Sequence, residues 1–184
     1  MDIYQLILTH NRKWSPLEMI SFAAVFLAVA AVLIVLLKKR KIDLSQLISG
    51  LLFVMYLAIV FASTVFTRNP DGIYHYELVP FWSWREVLNG NSYMLTEIIL
   101  NIILFYPVGI LLPIMLHRKI KWWQGLLAGI LISSVIEITQ LVSCRGLFEW
   151  DDMIHNGLGC MAGCLLLEII RKVLDKLKQF CVKS

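Results

Sequence analysis

Charge is what this sequence has least of. Only 16% of its 184 residues are Asp, Glu, Lys or Arg, against about a quarter in a soluble domain. A chain so poor in charge cannot cover itself with water-compatible surface, which excludes the ordinary soluble class. Cysteine is scarce too. Cys144, Cys160, Cys164 and Cys181 form no CxxC pair, so neither a zinc ribbon nor a thioredoxin-like centre is encoded. Cys160 and Cys164, four apart in an oily segment, read as small apolar fillers. There is no phosphate-binding glycine loop, no nucleophile motif and no compact His-rich metal signature. No cofactor is therefore expected, and no resident metal. Internal repeats and low-complexity tracts are missing as well. The net charge of +4 comes from short basic clusters beside oily runs, so no nucleic-acid partner is expected. The first oily run is long and lacks a small-residue cleavage site, which argues against a secretory signal.

What is abundant is hydrocarbon. Hydrophobic residues make up 59% of the chain, and mean hydropathy is +0.74. Spanning a bilayer takes about 20 apolar residues. Five segments meet that length or approach it: Leu17 to Leu37, Leu47 to Thr67, Met94 to Leu116, Trp122 to Ser143, and Met153 to Ile170. The expected fold is all-α, a polytopic membrane helical bundle of about five transmembrane helices. Basic residues orient it. Twelve of the 17 follow spans one, three and five: Lys38, Lys39, Arg40, Lys41; Arg118, Lys119, Lys121; Arg171, Lys172, Lys176, Lys178 and Lys183. The remainder, Arg12, Lys13, Arg68, Arg85 and Arg145, fall on the other side. This predicts a cytoplasmic C-terminus and an N-terminus outside. Trp14, Trp82, Trp84, Trp122, Trp123 and Trp150 all sit at or beyond span ends, where an indole with one polar edge prefers to lie. The chain divides into an extra N-terminal span with its basic loop (1–46), a core of four spans (47–170) and a basic cytoplasmic tail (171–184). The 68–93 loop opens with Asn69-Pro70-Asp71-Gly72, a turn with Gly at the position needing positive φ. Its aromatic part, from Pro80 to Trp84, is expected in the headgroup layer, partly as a short helix.

Against this background the stretch ILISSVIEITQLV, residues 130–142, is anomalous. A carboxyl at mid-span costs about 2.5–3.5 kcal/mol on the insertion scale, and such groups usually face the bundle interior. Glu97 and Asn101 are four apart on span three. Ser133, Glu137 and Gln140 form one stripe on span four. Asp152, Asn156, Gly159 and Gly163 form another on span five. Asp151 adjoins the last stripe. All the polar members fall in the outer halves of their spans, so three helices bring polar groups to one depth. The Gly159/Gly163 pair is a GxxxG, which permits close helix approach. Pro107 removes a backbone donor and disturbs the Ile103 carbonyl, a kink placed just below Asn101. Arg145, on the turn between spans four and five, is placed to neutralise a carboxylate or to grip a ligand phosphate or carboxylate. Glu97, Glu137, Glu149, Asp151 and Asp152 outnumber it. The surplus calls for protonated carboxyls, or for a metal ion or ligand amine. Each residue also has a plainer reading. Glu137 and Gln140 serve as hydrogen-bonding glue, Asp151 and Asp152 as charges favourable to a helix N-terminus, and His155 as a packed core residue.

Taken in order, these residues resemble a known family. Asn101-Ile-Ile-Leu-Phe-Tyr-Pro107-Val-Gly109 resembles the N-x-x-x-F-x-P-x-G segment of VanZ-like proteins. Glu137-Ile-Thr-Gln140 resembles their E-x-x-Q. The stretch from Arg145 through Asp151-Asp152 to Asn156 and Gly159 resembles their R…D-x-D-D-x-x-x-N-x-x-G, with Glu149 where Asp is usual. Glu77-Leu-Val-Pro80-Phe81 is similar to their N-L-x-P-F, with Glu77 in place of Asn. The resemblance implies an integral cell-membrane protein of Gram-positive-type envelopes. It also implies resistance to teicoplanin-like lipoglycopeptides with little effect on vancomycin. Teicoplanin differs from vancomycin chiefly in carrying an acyl chain. The expected site is an outward-facing polar cavity lined by Glu97, Asn101, Glu137, Gln140, Arg145, Asp151, Asp152 and Asn156. Its expected partners are membrane lipids and a lipid-linked cell-wall precursor or lipoglycopeptide. A non-enzymatic binder is favoured. The alternatives are an enzyme acting on an envelope lipid or glycan, with Glu137 and Asp152 as candidate catalytic carboxylates, and a structural or regulatory membrane partner.

Sidedness is directly testable. A green fluorescent protein fused after Ser184 should fluoresce, as a cytoplasmic C-terminus requires. A cysteine introduced at Gly90 should react in intact cells with a membrane-impermeant maleimide. The reverse pattern would invert the topology.

Overall fold

The computed structural model describes residues 14–183; Arg12 and Lys13, counted in the orientation argument, lie outside them. Its helices are α1 (Pro16–Lys38), α2 (Leu44–Phe61, prolonged by a π-helical turn, Ala62–Phe66), α3 (Trp82–Leu88), α4 (Ser92–Met115), α5 (Trp122–Ser143) and α6 (Trp150–Lys183). Five of them, all but α3, are long and apolar enough to cross a membrane. They match the five expected spans to within a few residues at most ends. The exception is the last, where the helix runs unbroken into the basic tail expected after Ile170.

Local sequence explains where the elements begin. Ser15 and Glu18 form a capping box at α1: the Glu18 amide donates to Ser15 Oγ (3.2 Å) and the Ser15 amide to Glu18 Oε2 (2.7 Å). The Asp43 amide donates to Gln46 Oε1 at the start of α2, while Gln46 Nε2 reaches the Met115 carbonyl at the end of α4 (3.0 Å). That contact fastens two spans at their basic ends. Gly72 takes the expected positive φ, 77°, but at a bend and not a hydrogen-bonded turn, because the Asp71 amide donates to the Cys144 carbonyl (3.2 Å). The short helix in the aromatic loop is α3. A parallel pair of three-residue strands, β1 (His75–Glu77) and β2 (Leu147–Glu149), had no signal in the sequence. It ties the long loop to the turn between α5 and α6.

The closest packing is between α4 and α6. A Cβ added to Gly159 would overlap the Ile102 carbonyl, and one on Gly163 would overlap that of Tyr106. From the other side, a Cβ on Gly109 would overlap the Cys160 carbonyl. The two backbones therefore touch directly. In lipid, where burying apolar surface between helices gains little, such contact is what holds helices together. Pro107 and Pro113 lie within α4, which stays helical. Beside Pro107, the Tyr56 hydroxyl of α2 donates to the Leu104 carbonyl (2.8 Å). The buried core lies where α2, α4, α5 and α6 meet, and contains Val60, Val65, Phe105, Val108, Ile136 and Cys160. Large apolar residues elsewhere point outward, among them Leu131 and Val142, as a lipid-facing surface requires. By contrast α1 buries no side chain and packs mainly along α2.

Replacing Gly159 with Leu should cost about 3 kcal/mol, because two backbones must part to admit the side chain. Thermal unfolding in detergent micelles would read this as a lowered midpoint. Val142→Leu, on the lipid face at 71% exposure, should leave the midpoint unchanged.

Candidate functional site

The polar groups gather at one end of the bundle, opposite the basic clusters. Their placement starts with the end of α2. There the helix widens into a π-helical turn, with the Thr67 amide donating to the Ala62 carbonyl (3.0 Å). Such turns are rare and concentrate at functional sites. Gln140 Nε2 of α5 donates to the Thr64 carbonyl of this turn (3.0 Å). The chain then leaves the membrane region at Arg68, whose guanidinium turns back over the bundle and lies against Gly146.

Beneath Arg68 is a cleft of about 390 Å³. Its polar wall is Arg68, Glu97, Asn101, Glu149 and Asp152. Trp82, Met94, Leu100 and Leu147 complete it with apolar surface. Asn101 Nδ2 donates to Asp152 Oδ1 (2.6 Å), joining α4 to α6. Arg68 lies within electrostatic range of Glu97, Glu137 and Asp152. Glu137 sits behind this wall at 2% exposure. Its Oε2 accepts the backbone N–H of Glu149 (3.0 Å), so a carboxylate inside α5 holds strand β2 over the cleft. Among the described residues, Arg68 Nε, Trp82 Nε1 and Glu149 Oε1 are buried at the cleft without a well-formed hydrogen bond, the Trp82 indole lying near enough to the Glu149 carboxyl to act on it. A buried donor or acceptor left unsatisfied costs about 1–3 kcal/mol, and a polar ligand entering the cleft would recover part of that.

The other expected site residues surround the cleft without lining it. Asp151 points toward the long loop. Its Oδ1 accepts the Phe81 amide (2.5 Å), and its Oδ2 accepts the Ser83 amide (2.9 Å) and the Ser83 hydroxyl (2.5 Å). It thereby caps α3 from across the fold. This contact also secures Phe81, a non-glycine residue at φ 62°. Trp84 Nε1 donates to His155 Nε2 (3.0 Å), which puts the imidazole proton of a neutral His155 on Nδ1. Asn156 Nδ2 donates to Ser133 Oγ (2.8 Å), bridging α6 to α5. Arg145 faces away from the acidic groups and pairs with Glu18 of α1 (3.1 Å). Thus Glu97, Asn101 and Asp152 share the cleft with Glu137 behind them, while Gln140, Arg145, Asp151 and Asn156 brace it.

Arg68, Trp82 and Glu149 were not among the expected ligand-binding residues. A signal for Arg68 existed: the surplus of carboxyls demanded a cation at the same depth, and Arg68 ends the second span. Glu149 had a signal too, as one of the surplus carboxyls and at an Asp position of the resembling pattern, whereas Trp82 reaches the cleft only through the capping of α3, which leaves no local pattern. Among the described residues, no three His, Cys, Asp or Glu side chains are grouped so as to hold a metal ion. The cation facing the carboxylates is the Arg68 guanidinium.

A family model described as VanZ/LLP1 matches residues 47–171. No curated protein and no solved structure matched the chain significantly. The match takes in every residue of the cleft and leaves out α1.

Glu149 stands between the spans, on β2. Burial pushes its carboxyl from 4.5 up to about 8, and the charges of Asp152 and Glu97 add to the shift. The folded protein thus holds this proton more tightly than the unfolded chain does. The associated stability is complete below the ordinary value of 4.5 and is lost progressively as pH rises through about 8. Thermal midpoints measured across this range should fall with rising pH, and Glu149→Gln should flatten the decline. An unchanged slope in the variant would assign the effect to another group.

Proposed function

The chain belongs to the VanZ/LLP1 family, and we propose that its cleft is an outward-facing site for the polar part of a lipid-linked or lipopeptide ligand. The protein is a multi-pass membrane protein with five candidate spans. In this reading it resides in the cell membrane of a Gram-positive-type envelope and protects against teicoplanin-type lipoglycopeptides. The observation that carries the reading is the cleft itself. It is an open cavity at the level of the span ends, walled by Arg68, Glu97, Asn101, Glu149 and Asp152, with Arg68 Nε lacking a hydrogen-bond partner among the described residues. Ionisable groups kept at the edge of hydrocarbon are costly, and such groups mark ligand pathways more often than structure. The basic clusters at the opposite end of the bundle support an outward-facing cleft by the positive-inside rule.

A binder accounts for the cleft better than an enzyme does. A catalytic reading would make Glu137 a general base and Asp152 an acid. Glu137 is instead engaged with the Glu149 amide and almost wholly buried. Its position suits a support for the cleft wall. An acyl chain would hold a ligand in the bilayer beside a cleft at the span ends, which gives a physical reason to distinguish teicoplanin from vancomycin.

The test is susceptibility to both antibiotics in a sensitive Gram-positive host. Strains would express wild type, Asp152→Asn or Arg68→Gln at matched membrane levels. Wild type should protect against teicoplanin and not vancomycin. Each variant should lose most of that protection, since one charge-assisted hydrogen bond is worth about 1.5–3 kcal/mol. Equal protection from all three proteins would remove the cleft from the mechanism. No protection by wild type would remove the resistance role.

A further inference from the structure

A second cavity lies outside the cleft. It is a groove of about 570 Å³ between α1 and α2, lined by Phe22, Val25, Val29, Leu57, Phe61 and Phe66 among others. Its lining is apolar almost throughout. The polar exceptions, Glu18 and Ser21, lie in the first turns of α1. Trp14 closes that end by packing edge-on against Phe22 and Phe66, with ring centroids 6.3 and 5.8 Å apart. The groove is thus graded, with hydrocarbon along its length and a polar, aromatic mouth at the cleft end of the bundle.

The mouth of the groove adjoins the cleft. Phe66 lines the groove and Arg68, two residues on, lines the cleft. Arg145 reaches over to Glu18 at the mouth (3.1 Å), and the neighbouring Gly146 packs against the Arg68 guanidinium. Both arginines have a buried Nε without a hydrogen-bond partner among the described residues. Two guanidinium groups at the mouth of an apolar groove, that of Arg145 only partly engaged by Glu18, are complementary to an amphiphile with an anionic oxygen-rich head.

We propose that the α1–α2 groove binds one hydrocarbon chain of a phosphate-bearing membrane lipid, with the phosphate end at the Arg68–Arg145 edge of the cleft. This assignment rests on the cleft being a head-group site, and it names the class of ligand. It also gives α1 a role. That helix lies outside the family match and buries no side chain, yet it supplies one whole wall of the groove. The bilayer around the two spans is the source of the lipid.

The experiment uses the full chain in phosphatidylcholine nanodiscs. These carry a trace of phosphatidylglycerol with a diazirine at mid-chain, or of diacylglycerol with the same diazirine. After irradiation, labelled residues are mapped by mass spectrometry. The phosphatidylglycerol probe should label Val25, Val29 and Leu57 several-fold more than Leu131, Val135 and Val142 of α5, and more than the diacylglycerol probe does. Val25→Trp should fill the groove and abolish the excess. Arg145→Gln should bring the two probes level. Uniform labelling of all lipid-facing helices in the wild type would overturn the proposal, leaving ordinary boundary lipid only. A groove that resists labelling, in particles holding two copies of the protein, would overturn it in favour of an interface between copies. Equal labelling by both probes in the wild type would overturn the phosphate assignment. The labelling ratio does not depend on antibiotic protection, so this proposal and the resistance reading can fail separately.

Discussion

Direct backbone contact between α4 and α6 is the constraint on which the rest of the structure depends. Gly159 and Gly163 bring α6 onto the Ile102 and Tyr106 carbonyls. Side chains in a helix lean toward its N-terminus. From two parallel helices in such contact, Asn101 and Asp152 therefore lean toward the same end and meet there, at 2.6 Å. A wider interhelical spacing would leave Asp152 without its amide partner, in a region where carboxylates cannot rely on water. The tight lower contact and the open upper cleft are two consequences of one change of composition along α6, from Asp152 and Asn156 to glycine.

Around this axis the polar side chains divide their labour by what they touch. Glu137, Gln140, Asp151 and Asn156 each satisfy a specific group on another element: the Glu149 amide, the Thr64 carbonyl, the start of α3 and the Ser133 hydroxyl. The first three of these bonds bind irregular segments to regular ones, and the fourth joins α6 to α5. In a membrane, irregular backbone survives only where protein or a water-filled cavity satisfies it. The π-helical turn, β2 and the α3 entrance are three such segments, and each has a buried side chain assigned to it. The cleft carboxylates face Arg68 instead. One guanidinium among Glu97, Glu149 and Asp152 leaves an acidic excess, which is consistent with the proton held on Glu149.

The first helix joins this assembly differently. Its capping residue Glu18 uses one oxygen for its own N-terminus and the other for Arg145. A local helix-start signal thereby doubles as the tie between α1 and the turn that follows α5. Trp14 adds its aromatic contacts with Phe22 and Phe66 at the same end. Toward the other end Leu33 packs against Gly50 of α2, and the groove lies between these two points of contact.

The sequence by itself determined the membrane class, the five spans and the stripes of polar residues. Hydropathy and helical period are local properties, and a bilayer enforces them without reference to the partner helices. It also identified Glu97, Asn101, Glu137 and Asp152 as neighbours in depth, because each position in a span translates into a height. Depth does not tell which way a side chain turns at the rim. Arg145 and Arg68 are both outer-end arginines on connecting segments. Only the tertiary structure decided that Arg145 would pair with Glu18 while Arg68 would cover the acids. That choice depends on where α1 docks, on the π-helical turn that aims the end of α2, and on the β1–β2 pairing that sets Glu149 in the wall. These are contacts between residues more than 60 positions apart in the chain, made by groups whose partners no local pattern records.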